Sequence, residues 1–157
     1  MGLNPTDRTG WLLGLLTSVS VIVSAIAAET SQPDWTLDSV NHCRVWNQNP
    51  RGNEGVIWSG ECRDGYAQGR GTVQWYHDQR PTDRYVGELR GGKANGYGVL
   101  TMGNGDRYEG HWVDGKAEGL GHVLLSSGYD YMGIWSDGCA RDGDKFVAVG
   151  RDPSSCY

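Results

Sequence analysis

From residue 58 onward, apolar and polar positions alternate in short runs broken by glycine. Tyr108, Gly110 and Trp112 take every second place, with Glu109, His111 and Val113 between them; a period of two marks a strand whose faces differ. A turn is expected at Asp114-Gly115-Lys116, after which a second run sets Val123 and Leu125 on one side. Val73 with Trp75, and Leu100 with Met102, hold the same place in earlier runs. Each strand–turn–strand unit reads as a β-hairpin. Gly103-Asn104-Gly105-Asp106 is expected to close one of them tightly, because Asn and Gly both tolerate φ > 0. Residues 11–27 follow another pattern. Trp11-Leu12-Leu13-Gly14-Leu15-Leu16 opens an apolar run through Val19, Val21, Ile22 and Val23 that ends at Ala25-Ile26-Ala27.

The hairpins are copies of one another. Tyr85-Val86-Gly87, Gly92, Gly96 and Gly98 recur 23 residues later as Tyr108-Glu109-Gly110, Gly115, Gly119 and Gly121. Trp58-Ser59-Gly60, Gly65, Gly69 and Gly71 precede them at the same spacing. The connection to Tyr85 is longer and carries His77-Asp78-Gln79-Arg80-Pro81-Thr82, read as a binding or spacer loop. Tyr131-Met132-Gly133 and Gly138 begin a fourth unit, where Asp142 and Asp144 replace the last two glycines. Cys62, Leu89, Trp112 and Trp135 share the fifth position. The third-position glycine is expected to let a ring from a neighbouring strand lie flat on the backbone. One hairpin is marginal in water, so successive units must lean on one another. The reading is an all-β, elongated and twisted single-layer antiparallel sheet of stacked hairpins over 58–138.

These units resemble the MORN repeat (membrane occupation and recognition nexus), whose pattern YxGxxxxGxxxGxG the Tyr85 and Tyr108 units match in full. The Trp58 unit matches in all but its first residue, and the Tyr131 unit in its first half. The approach Cys43-Arg44-Val45-Trp46-Asn47-Gln48-Asn49-Pro50 is similar to the start of small secreted bacterial MORN proteins. The resemblance implies an aromatic groove along a hairpin sheet. It also implies binding or scaffolding, often with self-association and sometimes with lipid head-group contact. Kinase and methyltransferase activities that accompany such repeats elsewhere do not transfer, because this chain has no segment for those domains.

Composition narrows the alternatives. Glycine supplies 25 of 157 residues, and each glycine inside a helix costs about 1 kcal/mol relative to alanine, so an all-helical fold is excluded. Seven Trp and eight Tyr are unlike a disordered chain, which is poor in aromatics. A net charge of −5 with scattered arginines argues against nucleic acid as partner, since phosphate binding needs a cationic surface. Residues 1–27 have the order of a signal peptide: a short polar start with Arg8, an apolar core and a small-x-small cut after Ala27. An uncleaved membrane anchor is the alternative. Residues 28–42 are expected as a linker, 43–57 as a capping strand and loop, and 139–157 as a C-terminal cap.

Four cysteines behind a signal peptide read as two disulfides in an oxidising compartment. Three pairings are open. Placing Val45-Trp46 beside Trp58-Ser59 would bring Cys43 to Cys62, and a last strand at Lys145-Phe146-Val147-Ala148-Val149 would let Cys156 return to Cys139. Zinc is the competing use, but there is no CxxC and no histidine at ligand spacing.

No catalytic set emerges. His111 and His122 are expected on the solvent side of one hairpin, near enough to approach one another, and His77-Asp78 lacks a nucleophile. Asp106, Asp114, Asp130 and Asp137 recur at turns, where aspartate bonds its own backbone. The rings Trp58, Tyr85, Tyr108, Tyr131, Trp75, Trp112 and Trp135 are the candidate binding residues, since Tyr and Trp join an apolar body to a polar edge. The expected function is a secreted, periplasmic, non-enzymatic interaction scaffold with a protein partner in the cell envelope or self-association, and no cofactor or metal. The alternative is an envelope ligand binder whose groove holds a phospholipid head group or a glycan.

Overall fold

The structure, a computed structural model, describes residues 34–156. The expected signal helix and its cleavage site lie outside the described residues. Twelve strands are present among the described residues: β1 (Trp35–Leu37), β2 (Arg44–Trp46), β3 (Glu54–Trp58), β4 (Glu61–Arg63), β5 (Tyr66–His77), β6 (Arg80–Arg90), β7 (Lys93–Thr101), β8 (Arg107–Val113), β9 (Lys116–Leu124), β10 (Asp130–Ser136), β11 (Cys139–Asp142) and β12 (Lys145–Ala148). They form one sheet in the order β1-β2-β5-β6-β7-β8-β9-β10-β11-β12, with β3 and β4 both paired to β5. The all-β hairpin fold is as the alternation predicts. The sheet is curled rather than simply elongated. It is also not wholly antiparallel, because β2 meets β5 in parallel at Arg44 and Tyr66.

Aspartate and glycine make the tight turns. At Asp114 and Gly115 φ is 48° and 87°, the left-handed pair of a type I′ turn whose twist matches its strands. Gly103-Asn104-Gly105-Asp106 turns differently from the expectation. Only Gly105 takes a positive φ, of 92°, while its N–H donates to the Met102 carbonyl and the Met102 N–H to that of Asp106. The extra residue makes this a wider turn followed by a bulge. The stretch 77–82 is not a loop: β5 and β6 run on as paired arms, with His77 opposite Arg80 and Tyr76 opposite Pro81.

The third-position glycines are there for rings, but for the ring two residues earlier in the same unit and not for one from a neighbouring strand. The Tyr85 side chain folds back along its own strand and lies over Gly87 and the facing Gly98; a Cβ at either would stand 2.4 Å from its phenol oxygen. Tyr108 covers Gly110 and Gly121 in the same way, and Trp58 covers Gly60 and Gly71. Each ring's polar tip then donates to the carbonyl three residues on: Trp58 Nε1 to Glu61, Tyr85 to Glu88 and Tyr108 to His111. In the fourth unit, where Asp144 replaces the second glycine, Tyr131 has only Gly133 beneath it, stays partly exposed and donates to Arg141 instead.

The C-terminal end is tied as expected, with β12 as the last strand, but the N-terminal end is tied differently. Both predicted disulfides are present, Cys43–Cys62 and Cys139–Cys156. However, β2 pairs with β1 (Trp46 opposite Trp35) and not with β3. Within the stretch expected as a linker, β1 leads into Asp38, which is fully buried and accepts the N–H groups of Trp58 and Asn41. The β1–β2 hairpin runs across the row of turns. Arg44 N–H donates to the Gly65 carbonyl and Trp46 N–H to that of Gly92, and Trp35 and Trp46 lie against Gly92 and Gly115.

Candidate functional site

The row of turns is a continuous spine. Gly92 N–H donates to the Ala67 carbonyl, Gly115 to Ala94 and Gly138 to Ala117, at 2.8, 2.9 and 3.0 Å. Alanine stands at the tenth position of all four units, as Ala67, Ala94, Ala117 and Ala140, and all but Ala94 are buried. A larger side chain there would push the next turn off its acceptor. Sequence reading passed over these alanines, although their fixed phase in four units was the signal for them. At the far end Val149 N–H takes the Gly138 carbonyl, and Arg151 binds both the carbonyl and the carboxylate of Asp137.

The curl brings the two terminal segments over the inner face of the sheet. Asn49, in the loop after β2, donates its side-chain amide to the carbonyl of Gly150, after β12. That loop is held from behind by Glu54, which accepts the Asn47 side-chain amide at 2.7 Å and the Arg51 N–H at 3.1 Å. Between the loop, the sheet and residues 145–153 lies a cavity of about 770 Å³. Its sheet wall is Trp75, Leu89, Leu100, Met102, Leu125 and Tyr129, backed by Tyr85 and Trp112; its rim includes Trp46, Gln48, Arg51, Asp83, Asp106 and Lys145.

The seven candidate rings separate into two groups. Trp58, Tyr85, Tyr108, Trp112 and Trp135 are at most 5% exposed and build the core; Trp75 and Tyr131 are partly exposed and pack against it. Of the seven, Trp75, Tyr85 and Trp112 border the cavity. Tyr85, Trp112, Tyr108, Trp135 and Tyr131 meet edge to face in succession, with centroids 5.0 to 6.2 Å apart, the geometry that ring quadrupoles favour. Burial pushes the phenols of Tyr85 and Tyr108 well above the usual tyrosine range, with Glu88 and Glu118 adding to it. Sequence reading missed Trp46, Leu100, Met102, Leu125 and Tyr129 as cavity lining, because a cavity between distant segments has no periodic signature.

The polar candidates disperse. His122 pairs with Asp130 at 2.7 Å, whereas His111 stacks edge-on against Tyr97; Glu109, not His111, stands opposite His122. His77 and Asp78 are 3.5 Å apart at an arm tip. Asp83 and Asp106 cap neighbouring turns by accepting the N–H groups of Gly103 and Ser126, and the Ser126 bond holds the Asp106 carboxyl below its ordinary range. Tyr129 takes the equivalent place in the last unit and donates to Asp142, which pushes its phenol up to about 12. Among the described residues, no three His, Cys, Asp or Glu side chains stand together as metal ligands. The outer face carries exposed Tyr97, Leu120, Met132 and Ile134, with Leu120 directly opposite Ile134.

The MORN repeat family model matches residues 85–107 and 108–128. This supports the resemblance for the two central units and a binding or scaffolding role over a catalytic one; the units at Trp58 and Tyr131 lie outside the matched segments. No curated protein matches the chain.

Proposed function

We propose that this chain is a non-enzymatic binding module of an oxidising compartment outside the cytoplasm, and that it holds its partner in the inner cavity. The observation that carries this reading is the Asn49–Gly150 contact, which draws both terminal segments over an apolar sheet wall and leaves about 770 Å³ between them. That volume lies within the range of about 300–1,000 Å³ common to small-ligand sites. Burial of five of the seven rings favours a ligand or a short partner segment held inside over a scaffold that reads the whole aromatic row. The two disulfides and the apolar segment at 11–27 support export.

Met102 lines the cavity and is only partly buried, so Met102→Arg puts a charge into the cavity without opening the ring core. An apolar fluorescent dye should bind the native protein, be displaced by extract of the native cell envelope, and leave the displacing compound chemically unchanged. Met102→Arg, with native circular dichroism, should lose the dye. Equal dye binding by both proteins would refute the cavity as the site, and conversion of the displacing compound would refute the non-enzymatic reading.

A further inference from the structure

We propose that the cavity takes a neutral oligosaccharide; this rests on the binding-cavity reading above and names its ligand class. A sugar ring presents an apolar C–H face and an edge of hydroxyl groups. The cavity offers the counterpart of each. Trp46, Trp75 and Tyr129 provide flat apolar surfaces with polar edges, and Gln48 stands on the rim between Asn47 and Asn49, whose own amides are given to Glu54 and Gly150. Side-chain amides both donate and accept, as hydroxyl groups do.

Charge separates this ligand from a phospholipid head group. Arg51, Lys145 and Arg151 stand on the lining with Asp83, Asp106 and Asp152, so the cavity has no net charge to attract an ion. Arg151 is already committed to Asp137 and Ser155, and each of the three aspartates already accepts a backbone N–H. Arg51 and Lys145 are left to meet a phosphate, and the three carboxylates on the same lining oppose its charge.

Trp75 separates it from a hydrocarbon chain. Its indole N–H is buried and has no hydrogen-bond partner, an arrangement that proteins pay to keep. Trp75 is only partly buried as a residue, so a small shift of its ring brings that N–H to a hydroxyl oxygen of the ligand, an acceptor that an acyl chain does not have.

Calorimetric titration of the full-length protein tests the assignment. The probes are uncharged tetrasaccharides of glucose and of N-acetylglucosamine, lysophosphatidylcholine, and an uncharged unstructured peptide, with the apolar dye as reference. At least one tetrasaccharide should bind saturably. Trp75→Phe keeps a ring and removes the N–H, and should weaken that binding about 3- to 10-fold, as loss of one hydrogen bond does. Gln48→Ala should weaken it without touching the sheet, Met102→Arg should abolish it, and Tyr97→Phe on the outer face should leave it unchanged. If the dye binds but neither saccharide does, or if lysophospholipid or peptide binds in their place, the ligand class is wrong and the cavity stands. If the dye does not bind, the cavity reading itself fails. Saccharide binding unmoved by Met102→Arg lies elsewhere on the protein and also overturns the proposal.

Discussion

The indole N–H of Trp112 donates to the carbonyl of Gly98 across the sheet at 3.2 Å, and 23 residues along the chain Trp135 repeats that bond onto Gly121 at 3.0 Å. Each tryptophan is thereby tied to the hairpin before its own. Because Gly98 and Gly121 also lie under Tyr85 and Tyr108, one glycine serves a ring from its own unit and a ring from the next. The units therefore do not merely sit side by side; they share parts.

Replacing these glycines should be costly in proportion to that sharing. At Gly121 an added Cβ would meet the Tyr108 phenol oxygen at 2.2 Å, so Gly121→Ala must move a buried ring. Overpacking of this kind costs about 1–3 kcal/mol. Gly52→Ala, with nothing within 4 Å of the new Cβ, should change stability by less than about 0.5 kcal/mol. Urea unfolding of the two variants measures the contrast.

Each disulfide should contribute about 3 kcal/mol on the loop-entropy model, given separations of 19 and 17 residues. Cys139→Ser with Cys156→Ser frees the tail whose neighbours Val149 and Arg151 hold the last turn, so cavity binding should fall along with the melting temperature. A double variant that melts earlier but binds unchanged would show that the tail does not shape the cavity.

Alkaline pH should unfold the protein through Tyr85 and Tyr108. Their folded-state pKa values are raised, so their contribution is full below the ordinary tyrosine value near 10 and is lost as pH rises beyond it, because only the unfolded phenols ionise there. An ultraviolet titration should show two phenols that ionise only as the native circular dichroism disappears. Tyr85→Phe should make the alkaline transition shallower.

Acid should loosen the C-terminal cap. Lys116 and Arg151 hold the Asp137 carboxyl below its ordinary value, so its contribution is complete above about 4 and fades as pH falls through the lowered folded-state value. Protection of β11 and β12 against hydrogen exchange should therefore fall as the pH is lowered. Asp137→Asn should remove that pH dependence.

Asp38 should prove to be the anchor of the N-terminal hairpin. It is fully buried and accepts two backbone N–H groups, from Trp58 and Asn41. Asp38→Ala leaves both without an acceptor at a cost of about 1–3 kcal/mol each if they remain buried. Thermal unfolding of this variant, set beside Asp34→Ala at the exposed residue nearby, gives the comparison.

The sequence by itself determined the hairpins, their 23-residue phase and the glycines beneath the rings, because each follows from local geometry or recurs at a fixed interval. Tyr85 and Gly87 are neighbours whatever the global fold, so their contact could be anticipated even though the strand that supplies the ring was misread. Only the tertiary structure decided that Trp58, Tyr108 and Trp135 are core, that β2 crosses the turns instead of pairing with β3, and that Asn49 meets Gly150. These depend on how far the sheet curls, the summed result of small twists in every strand, which no single repeat encodes. The cavity exists because that curl brings together segments a hundred residues apart in the chain.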